Sequence, residues 1–143
     1  MASIHRTAKA AWQGSGKKGT GTLTTQSGVL KEARYGFQTR FADGPGTNPE
    51  ELIAAAHAGC FTMALAFQLQ GAGHTAESLD TEARVTMEQE GSGWTIKSVA
   101  LSLQAKVPGC SPEEFQKLAD AAKANCPVSR VLKADIGLDA KLG

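Results

Sequence analysis

The residues of this chain best suited to redox chemistry are its three cysteines, Cys60, Cys110 and Cys126. Neighbouring cysteines lie 50 and 16 residues apart in the sequence. These spacings match neither a disulfide framework nor a metal motif of paired cysteines. In a reducing compartment such thiols are either buried apolar side chains or reactive groups. The surroundings of each cysteine therefore decide its chemistry.

Cys126 directly precedes Pro127, which the sequence predicts as the first residue of a short helix ending near Leu132. At this N-cap position a thiol faces the positive end of the helix dipole and unpaired N–H groups, which lower its pKa. A second interpretation is that a small side chain simply fills the turn between two helices. Position alone leaves both interpretations open.

Cys60 lies in the middle of the apolar segment 51–67, so no helix terminus can activate it. Burial by itself raises the pKa of a thiol. Cys60 is therefore either an inert core residue or a thiolate stabilised by a cation from elsewhere in the fold. Arg40, at the end of a predicted third strand with apolar and aromatic neighbours, is the natural cation.

Glu50 is the carboxylate available to hold Arg40, because Glu51 is expected to complete the N-terminal cap of the helix that follows. Ten residues of helix at about 1.5 Å each separate Glu50 from Cys60 by about 15 Å, too far for one site within one chain. A site that uses both residues therefore needs the Glu50 of a second copy of the chain.

His57 lies one turn before Cys60 and could act as its general base, or be a core or interface histidine. A metal site of Cys60, His57 and Cys126 is a further alternative, although it lacks a fourth ligand. Cys110 precedes a predicted helix, where it forms a hydrophobic staple with Phe115. We assign Cys110 no chemistry.

The remaining chain predicts an α+β fold in a single domain, residues 1–143. Alternating patterns and turn residues predict three short strands within 4–41, followed by a glycine- and proline-rich break at 42–48. The later elements are a helix from Pro49 to about Gln70 with Asn48 as N-cap, a strand over 77–89, a hairpin into a strand ending near 107 with a bulge at 97–98, a helix from Pro112 to about Lys123, and a strand over 134–142.

The predicted helix beginning at Pro49 is apolar or small on every face from Leu52 to Phe67, so nearly all of its surface must be buried. A sheet covers one side only. Packing against the same helix of a second copy would cover the other side, which predicts an obligate homodimer. The alternative is a monomer whose helix is enclosed by the sheet and the helix over 112–124.

Composition and charge exclude several classes of partner. The net charge is +1, from 15 basic and 14 acidic residues spread along the chain, so no basic surface for nucleic acid is predicted. The N-terminus has no apolar signal segment, and the apolar run 51–67 is short for a membrane span and bordered or interrupted by His57 and Gln68. These features predict a cytoplasmic protein without a membrane partner.

Three separated motifs, GTNPEELIAAAHAGCF at 46–61, YGFQTRF at 35–41 and CPVSRVLKADI at 126–136, resemble the OsmC/Ohr family of thiol peroxidases over nearly the whole chain. The resemblance is closer to the OsmC branch. It implies an intertwined α+β homodimer with antiparallel sheets around a long buried central helix and active sites at the interface. It also implies reduction of organic hydroperoxides, in preference to hydrogen peroxide, without a metal or other cofactor.

By the same resemblance, Cys60 is the peroxidatic cysteine and Cys126 the resolving cysteine. Arg40 stabilises the thiolate, and Glu50 positions the arginine. The implied cycle forms a Cys60–Cys126 disulfide, which an external dithiol, such as a lipoyl-bearing protein, then reduces.

An apolar pocket lined by Phe61, Leu65 and Tyr35 or Phe37 is expected to receive the organic part of the substrate. The main alternative function is a noncatalytic stress protein that binds a ligand in the apolar cleft of the dimer.

Overall fold

A computed structural model describes residues 2–41 and 44–143 of the chain. The chain forms two compact units, Met1–Leu52 and Ile53–Gly143. Both units contain helices as well as strands, which confirms the predicted α+β class. The first residues of the predicted break, Ala42 and Asp43, lie outside the described residues.

The first unit contains an antiparallel sheet in the order β1-β2-β3, made of β1 (Ala8–Gln13), β2 (Thr20–Thr25) and β3 (Ala33–Tyr35). Gly21 in β2 lies beneath two aromatic rings, since a Cβ atom there would come within 2.4 Å of Tyr35 and 2.6 Å of Trp12. The two rings meet edge to face with centroids 5.6 Å apart. A glycine at this position therefore allows the aromatic pair to close over the sheet.

The segment predicted as the third strand is instead a short helix, α1 (Phe37–Phe41). Thr39 explains its start, because its hydroxyl accepts from the Gly36 N–H at 2.9 Å and donates to the Gly36 carbonyl at 2.9 Å. The two phenylalanines, one helical turn apart, stack with centroids 4.7 Å apart. Arg40 therefore lies in the last turn of a helix and not at a strand end.

The long helix α2 (Pro49–Gly71) begins as predicted. The Asn48 side chain accepts from the Glu51 N–H at 2.8 Å, which confirms Asn48 as the N-cap, and it also donates to the Thr39 carbonyl at 2.7 Å. The Glu51 carboxylate accepts from the Thr47 hydroxyl at 2.6 Å. These bonds leave Glu50 available for another partner.

The second unit contains a sheet in the order β4-β5-β6, made of β4 (Ser78–Glu90), β5 (Gly93–Lys106) and β6 (Asp135–Leu142). The β4–β5 hairpin is antiparallel, and its register shifts at Lys97, which confirms the predicted bulge. The β6 strand, by contrast, runs parallel to β5, so the expectation of antiparallel sheets is wrong for this pair. The reason is the long crossover between them, which contains α3 (Pro112–Asn125) and α4 (Pro127–Val131).

The core of the second unit lies between one face of this sheet and the helices. The α2 helix contributes a buried residue at every fourth position from His57 to Leu69. Alternate residues of β5 from Val99 to Ala105, followed by Val107, supply the sheet side, and α3 adds Phe115, Ala119 and Ala122.

The opposite face of α2, which we call the outer face, consists of Ala55, Gly59, Met63 and Phe67 and is exposed in the single chain. Met63 and Phe67 are 60% and 66% exposed. The sheet and α3 therefore leave this face of α2 uncovered, which contradicts the alternative of a monomer that encloses the helix.

By length and composition alone α2, with 23 residues, could cross a membrane, and the mean hydropathy of an 18-residue window within it is 1.6. One stripe of α2 nevertheless packs in the core of the second unit.

Candidate active site

The structure brings Cys60 and Cys126 together within the second unit, although they lie far apart in the sequence. Cys60 is half-buried in the middle of α2, and Cys126 is fully buried where α3 ends and α4 begins. Neither cysteine forms a disulfide, and the two thiols lie close enough for each to shift the pKa of the other. Cys126 is the N-cap residue of α4, as predicted, although its side chain makes no capping hydrogen bond to the helix.

The surroundings of Cys126 favour its thiolate. Burial raises the pKa of this thiol, but the Cys60 thiol, the N–H and hydroxyl of Ser129 and the N–H of Val128 together outweigh burial, and the net pKa is lowered. The two N–H groups belong to the first turn of α4, where backbone donors lack helical partners. The start of α4 therefore acts as a small anion site for the Cys126 sulfur.

Cys60 has the opposite balance. Burial raises the pKa of its thiol most, the hydrogen bond to Cys126 raises it further, and the N–H of Val128 lowers it only in part. Of the two thiols, Cys126 therefore loses its proton more readily than Cys60. An additional cation is needed before Cys60 can become the nucleophile.

His57 is fully buried and bonds through Nε2 to the Ser129 hydroxyl at 2.7 Å. Burial lowers the pKa of His57, so its ring is neutral near pH 7. Its Nδ1 has no partner among the described residues. A chain of polar contacts thus joins Cys60 to Cys126, Cys126 to Ser129, and Ser129 to His57.

Ser129 is a site residue that sequence reasoning did not identify. Its position could have been used to predict this role, because it follows the N-cap Cys126 by three residues. The side chain and N–H of a residue at this position commonly form hydrogen bonds with the N-cap residue. The approach of His57 from α2 carried no such signal, since only the packing of α2 against α4 creates it.

The first unit brings together the other two predicted site residues. Arg40 donates from Nε to Oε1 of Glu50 at 2.7 Å, and its Nη2 reaches the same oxygen. The second oxygen of Glu50 is buried and has no partner in the part of the chain that the structure describes. The guanidinium also lies 5.9 Å from the centroid of the Phe41 ring. Arg40 is thus held at one edge while 41% of its side chain stays exposed.

A cavity of about 150 Å³ opens beside Arg40 within the first unit. Tyr35 and Phe37, two of the residues predicted to line a pocket, form its walls together with Trp12. The other two predicted lining residues, Phe61 and Leu65, are fully buried in the core of the second unit, so their assignment to the pocket is wrong.

The described ranges 2–41 and 44–143 contain one group of three close metal-ligating side chains, which is His74, Cys110 and Glu114. The alternative site of Cys60, His57 and Cys126 is not formed there. The carboxylate of Glu114 contacts His74, and the Ser111 hydroxyl caps α3 by accepting from the Glu114 N–H.

Known proteins similar to this chain carry the names that its motifs predict. The peroxiredoxin OsmC of Escherichia coli is 49% identical over 140 residues, which are 98% of each chain. An organic hydroperoxide resistance protein of Xanthomonas axonopodis is 34% identical over 96 residues, which are 66% of each chain. The solved structure of an OsmC-like protein of unknown function from Vibrio cholerae shares the fold with a TM-score of 0.78, at 15% identity and over 96% of this chain and 99% of that one.

The family model of OsmC-like proteins matches residues 42–141, which include Glu50, Cys60 and Cys126. Together with the 49% identity over 98% of the E. coli protein, this match shows that the chain belongs to the OsmC family.

Proposed function

We propose that this chain reduces organic hydroperoxides, with hydrogen peroxide as a poorer substrate, through a disulfide between Cys60 and Cys126. Membership of the family and the names of its relatives make a thiol-dependent peroxidase the enzyme class. The observation that carries the proposal is the proximity of the Cys60 and Cys126 thiols, each of which shifts the pKa of the other although they are far apart in the sequence.

The proposed cycle balances without a metal or cofactor. The Cys60 thiolate attacks the distal peroxide oxygen, the O–O bond breaks, and the alkoxide leaves and takes a proton. Cys60 is then a sulfenic acid. The Cys126 thiolate attacks its sulfur, the S–O bond breaks, and hydroxide leaves as water. One hydroperoxide and two thiols thus give an alcohol, water and one disulfide, which an external dithiol, such as a lipoyl-bearing protein, reduces.

Arg40 supplies the positive charge that lowers the pKa of the Cys60 thiol and stabilises its thiolate. Its ion pair with Glu50 lies within one chain, so the two residues act together. Along α2, Glu50 is about 15 Å from the Cys60 of its own chain. We therefore assign each active site the Cys60 and Cys126 of one subunit and the Arg40 and Glu50 of the partner subunit.

A homodimer that buries the outer face of α2 supplies this arrangement. Gly59 has open space where a Cβ atom would stand, and Ala55 is also small, so the partner helix can approach closely. Met63 and Phe67 add an apolar surface that a single chain leaves in water. Burial of this face in the dimer would remove from water the apolar surface that makes α2 resemble a membrane-spanning helix. This supports a cytoplasmic enzyme.

The aromatic cavity beside Arg40 supports a preference for organic substrates. Its walls of Trp12, Tyr35 and Phe37 offer apolar surface to an alkyl or aryl group, while the guanidinium can meet the peroxide oxygens. Hydrogen peroxide has no group to fill this space.

The match to the E. coli relative over 98% of each chain supports residues 1–143 as one domain.

Stopped-flow oxidation of the reduced protein by cumene hydroperoxide and by hydrogen peroxide tests the proposal, with free thiols counted afterwards. The wild type should lose two thiols per chain rapidly, and faster with the organic peroxide. Cys60→Ser should abolish this reaction, whereas Cys110→Ser should leave it unchanged. Slow oxidation that is alike in the wild type and Cys60→Ser would contradict catalysis and favour the noncatalytic ligand-binding protein.

A further inference from the structure

A second cluster of reactive side chains lies in the second unit, away from the two redox cysteines in the sequence. The Nε2 atom of His74 lies 2.6 Å from Oε1 of Glu114, and the Sγ atom of Cys110 lies 3.7 Å from the same oxygen. All three ligand atoms lie within 4.8 Å of one another, and all three residues are half-buried. His74 follows α2, Cys110 follows β5, and Glu114 lies in the first turn of α3. The tertiary structure therefore assembles the cluster from three separate segments.

The backbone holds His74 in place through the end of α2. Gly73 has a φ of 87°, and its N–H donates to the carbonyl of Gln70 at 3.0 Å. The N–H of His74 donates to the carbonyl of Leu69 at 2.8 Å. These two bonds form a Schellman motif, in which only glycine adopts the left-handed position without strain. The imidazole therefore projects from a fixed point.

Cys110 and Glu114 are fixed by two further local structures. Gly109, with a φ of 80°, closes a tight turn in which the Cys110 N–H donates to the Val107 carbonyl at 3.3 Å. The Ser111 hydroxyl accepts from the Glu114 N–H at 3.2 Å and starts α3. All three side chains are thus presented by a backbone that is already formed.

We propose that His74, Cys110 and Glu114 bind one zinc ion, with water at the open fourth position. A thiolate, an imidazole and a carboxylate form a mixed sulfur, nitrogen and oxygen set that suits zinc, whereas calcium and magnesium take oxygen ligands. The Cys110 thiol loses its proton to water when the Zn–S bond forms. The thiolate and the carboxylate then balance the two charges of the ion.

The observed geometry is close to a tetrahedral site. Zinc bonds of about 2.3 Å to sulfur and about 2.0 Å to oxygen place those two ligands about 3.5 Å apart. The separation of 3.7 Å between Cys110 and Glu114 already fits this value. To admit the ion, the contact of 2.6 Å between His74 and Glu114 has to widen by less than about 1 Å, and the Cys110 sulfur and the His74 nitrogen, which lie within 4.8 Å, have to come within about 3.6 Å.

The zinc site is independent of the proposed peroxidase function. It joins the loop after α2 to the start of α3, so metal should stabilise the fold. It also gives a role to Cys110, the cysteine that has no part in the proposed cycle.

Cobalt(II) titration of the full chain carrying Cys60→Ser and Cys126→Ser tests the site, because Cys110 is then the one cysteine left of three. We expect a thiolate-to-cobalt charge-transfer band that saturates at one ion per chain and disappears when zinc is added. Adding Cys110→Ser should abolish the band. Glu114→Gln and His74→Gln should each weaken binding at least about tenfold. Glu113→Gln and His5→Gln, which alter exposed residues outside the cluster, should not change binding.

Absence of the band in a folded double variant would overturn the zinc site. A band in the single variant Cys110→Ser that is as strong as the band of the wild type would also overturn the site. It would place the metal on Cys60 and Cys126. The same comparison between the wild type and Cys110→Ser keeps the test valid if the double variant fails to fold. Failure of the peroxidase proposal would not affect these results, because the double variant lacks both redox thiols.

Discussion

The thiols of Cys60 and Cys126 lie close enough for each to shift the pKa of the other, upward for Cys60 and downward for Cys126. The N–H groups at the start of α4 help to lower the pKa of Cys126. This arrangement suits the resolving role proposed for Cys126. It also explains why the proposed nucleophile, Cys60, needs Arg40.

Replacing Ser129 by alanine should raise the pKa of Cys126, because the sulfur loses a hydroxyl donor that favours its thiolate. At a pH below that pKa, disulfide formation after the first oxidation should slow by about three- to tenfold. The rate of the second thiol loss in stopped-flow oxidation measures this step. Formation of the sulfenic acid should stay fast.

Ser102→Ala, an exposed substitution on β5, is the matched control and should leave both steps unchanged. An unaltered rate of disulfide formation in Ser129→Ala would show that the backbone N–H groups alone hold the Cys126 thiolate.

His57 should make the stability of the protein sensitive to acid. Burial lowers the pKa of His57 in the folded state below its ordinary value of 6.5. The unfolded chain therefore binds the proton more readily, so the contribution of His57 to stability is full above about pH 6.5 and is lost as the pH falls through the folded pKa. Urea unfolding at a series of pH values and at one protein concentration measures this loss.

His57→Gln should flatten the acid limb of that stability profile, since glutamine does not titrate. His5→Gln changes an exposed histidine and should keep the profile of the wild type. Equal profiles for all three proteins would mean that other groups cause the acid sensitivity.

A charge on the outer face of α2 should separate the proposed dimer. Met63→Glu and Phe67→Glu place a carboxylate where two apolar faces meet, and burial of an unpaired charge costs several kcal/mol, about enough to abolish association at micromolar concentration. Light scattering coupled to gel filtration gives the mass directly. Val29→Glu is a control, because Val29 is 83% exposed and belongs to a different compact unit from Met63 and Phe67. A wild type that already runs as a monomer would refute the dimer.

Much of the fold follows from local sequence patterns. Asn48 caps α2 and Ser111 caps α3 through bonds to residues three positions ahead, and such signals are complete within a few residues. The alternation in β4 and β5 likewise predicts one buried face, and the change of phase at Lys97 predicts the bulge.

Other features depend on contacts that local patterns do not encode. The segment 37–41 has a spacing that fits either a strand or one turn of helix, and the hydrogen bonds between Thr39 and Gly36 favour the helix. The contact between His57 and Ser129 joins residues 72 positions apart, and the cluster around Glu114 joins three separate segments. Such contacts arise only once the core has packed.

Mixed dimers should show whether Arg40 acts on the Cys60 of the other subunit. Arg40→Met and Cys60→Ser are each expected to be inactive as homodimers, because loss of a charge-stabilising group costs about a hundredfold or more in rate. In a mixed dimer, the chain with Arg40→Met keeps Cys60 and the other chain keeps Arg40. If the site crosses the interface, one of its two sites is intact.

Refolding an equal mixture of the two variants forms mixed dimers in about half of the population, so about a quarter of the wild-type activity should return. Each variant refolded alone is the control and should stay inactive. Arg40→Lys keeps the positive charge but should not keep full activity, because lysine lacks the Nε and Nη2 donors that both contact Glu50. If the mixture stays inactive although mass analysis shows mixed dimers, Arg40 acts within its own chain, and the 15 Å argument from α2 fails.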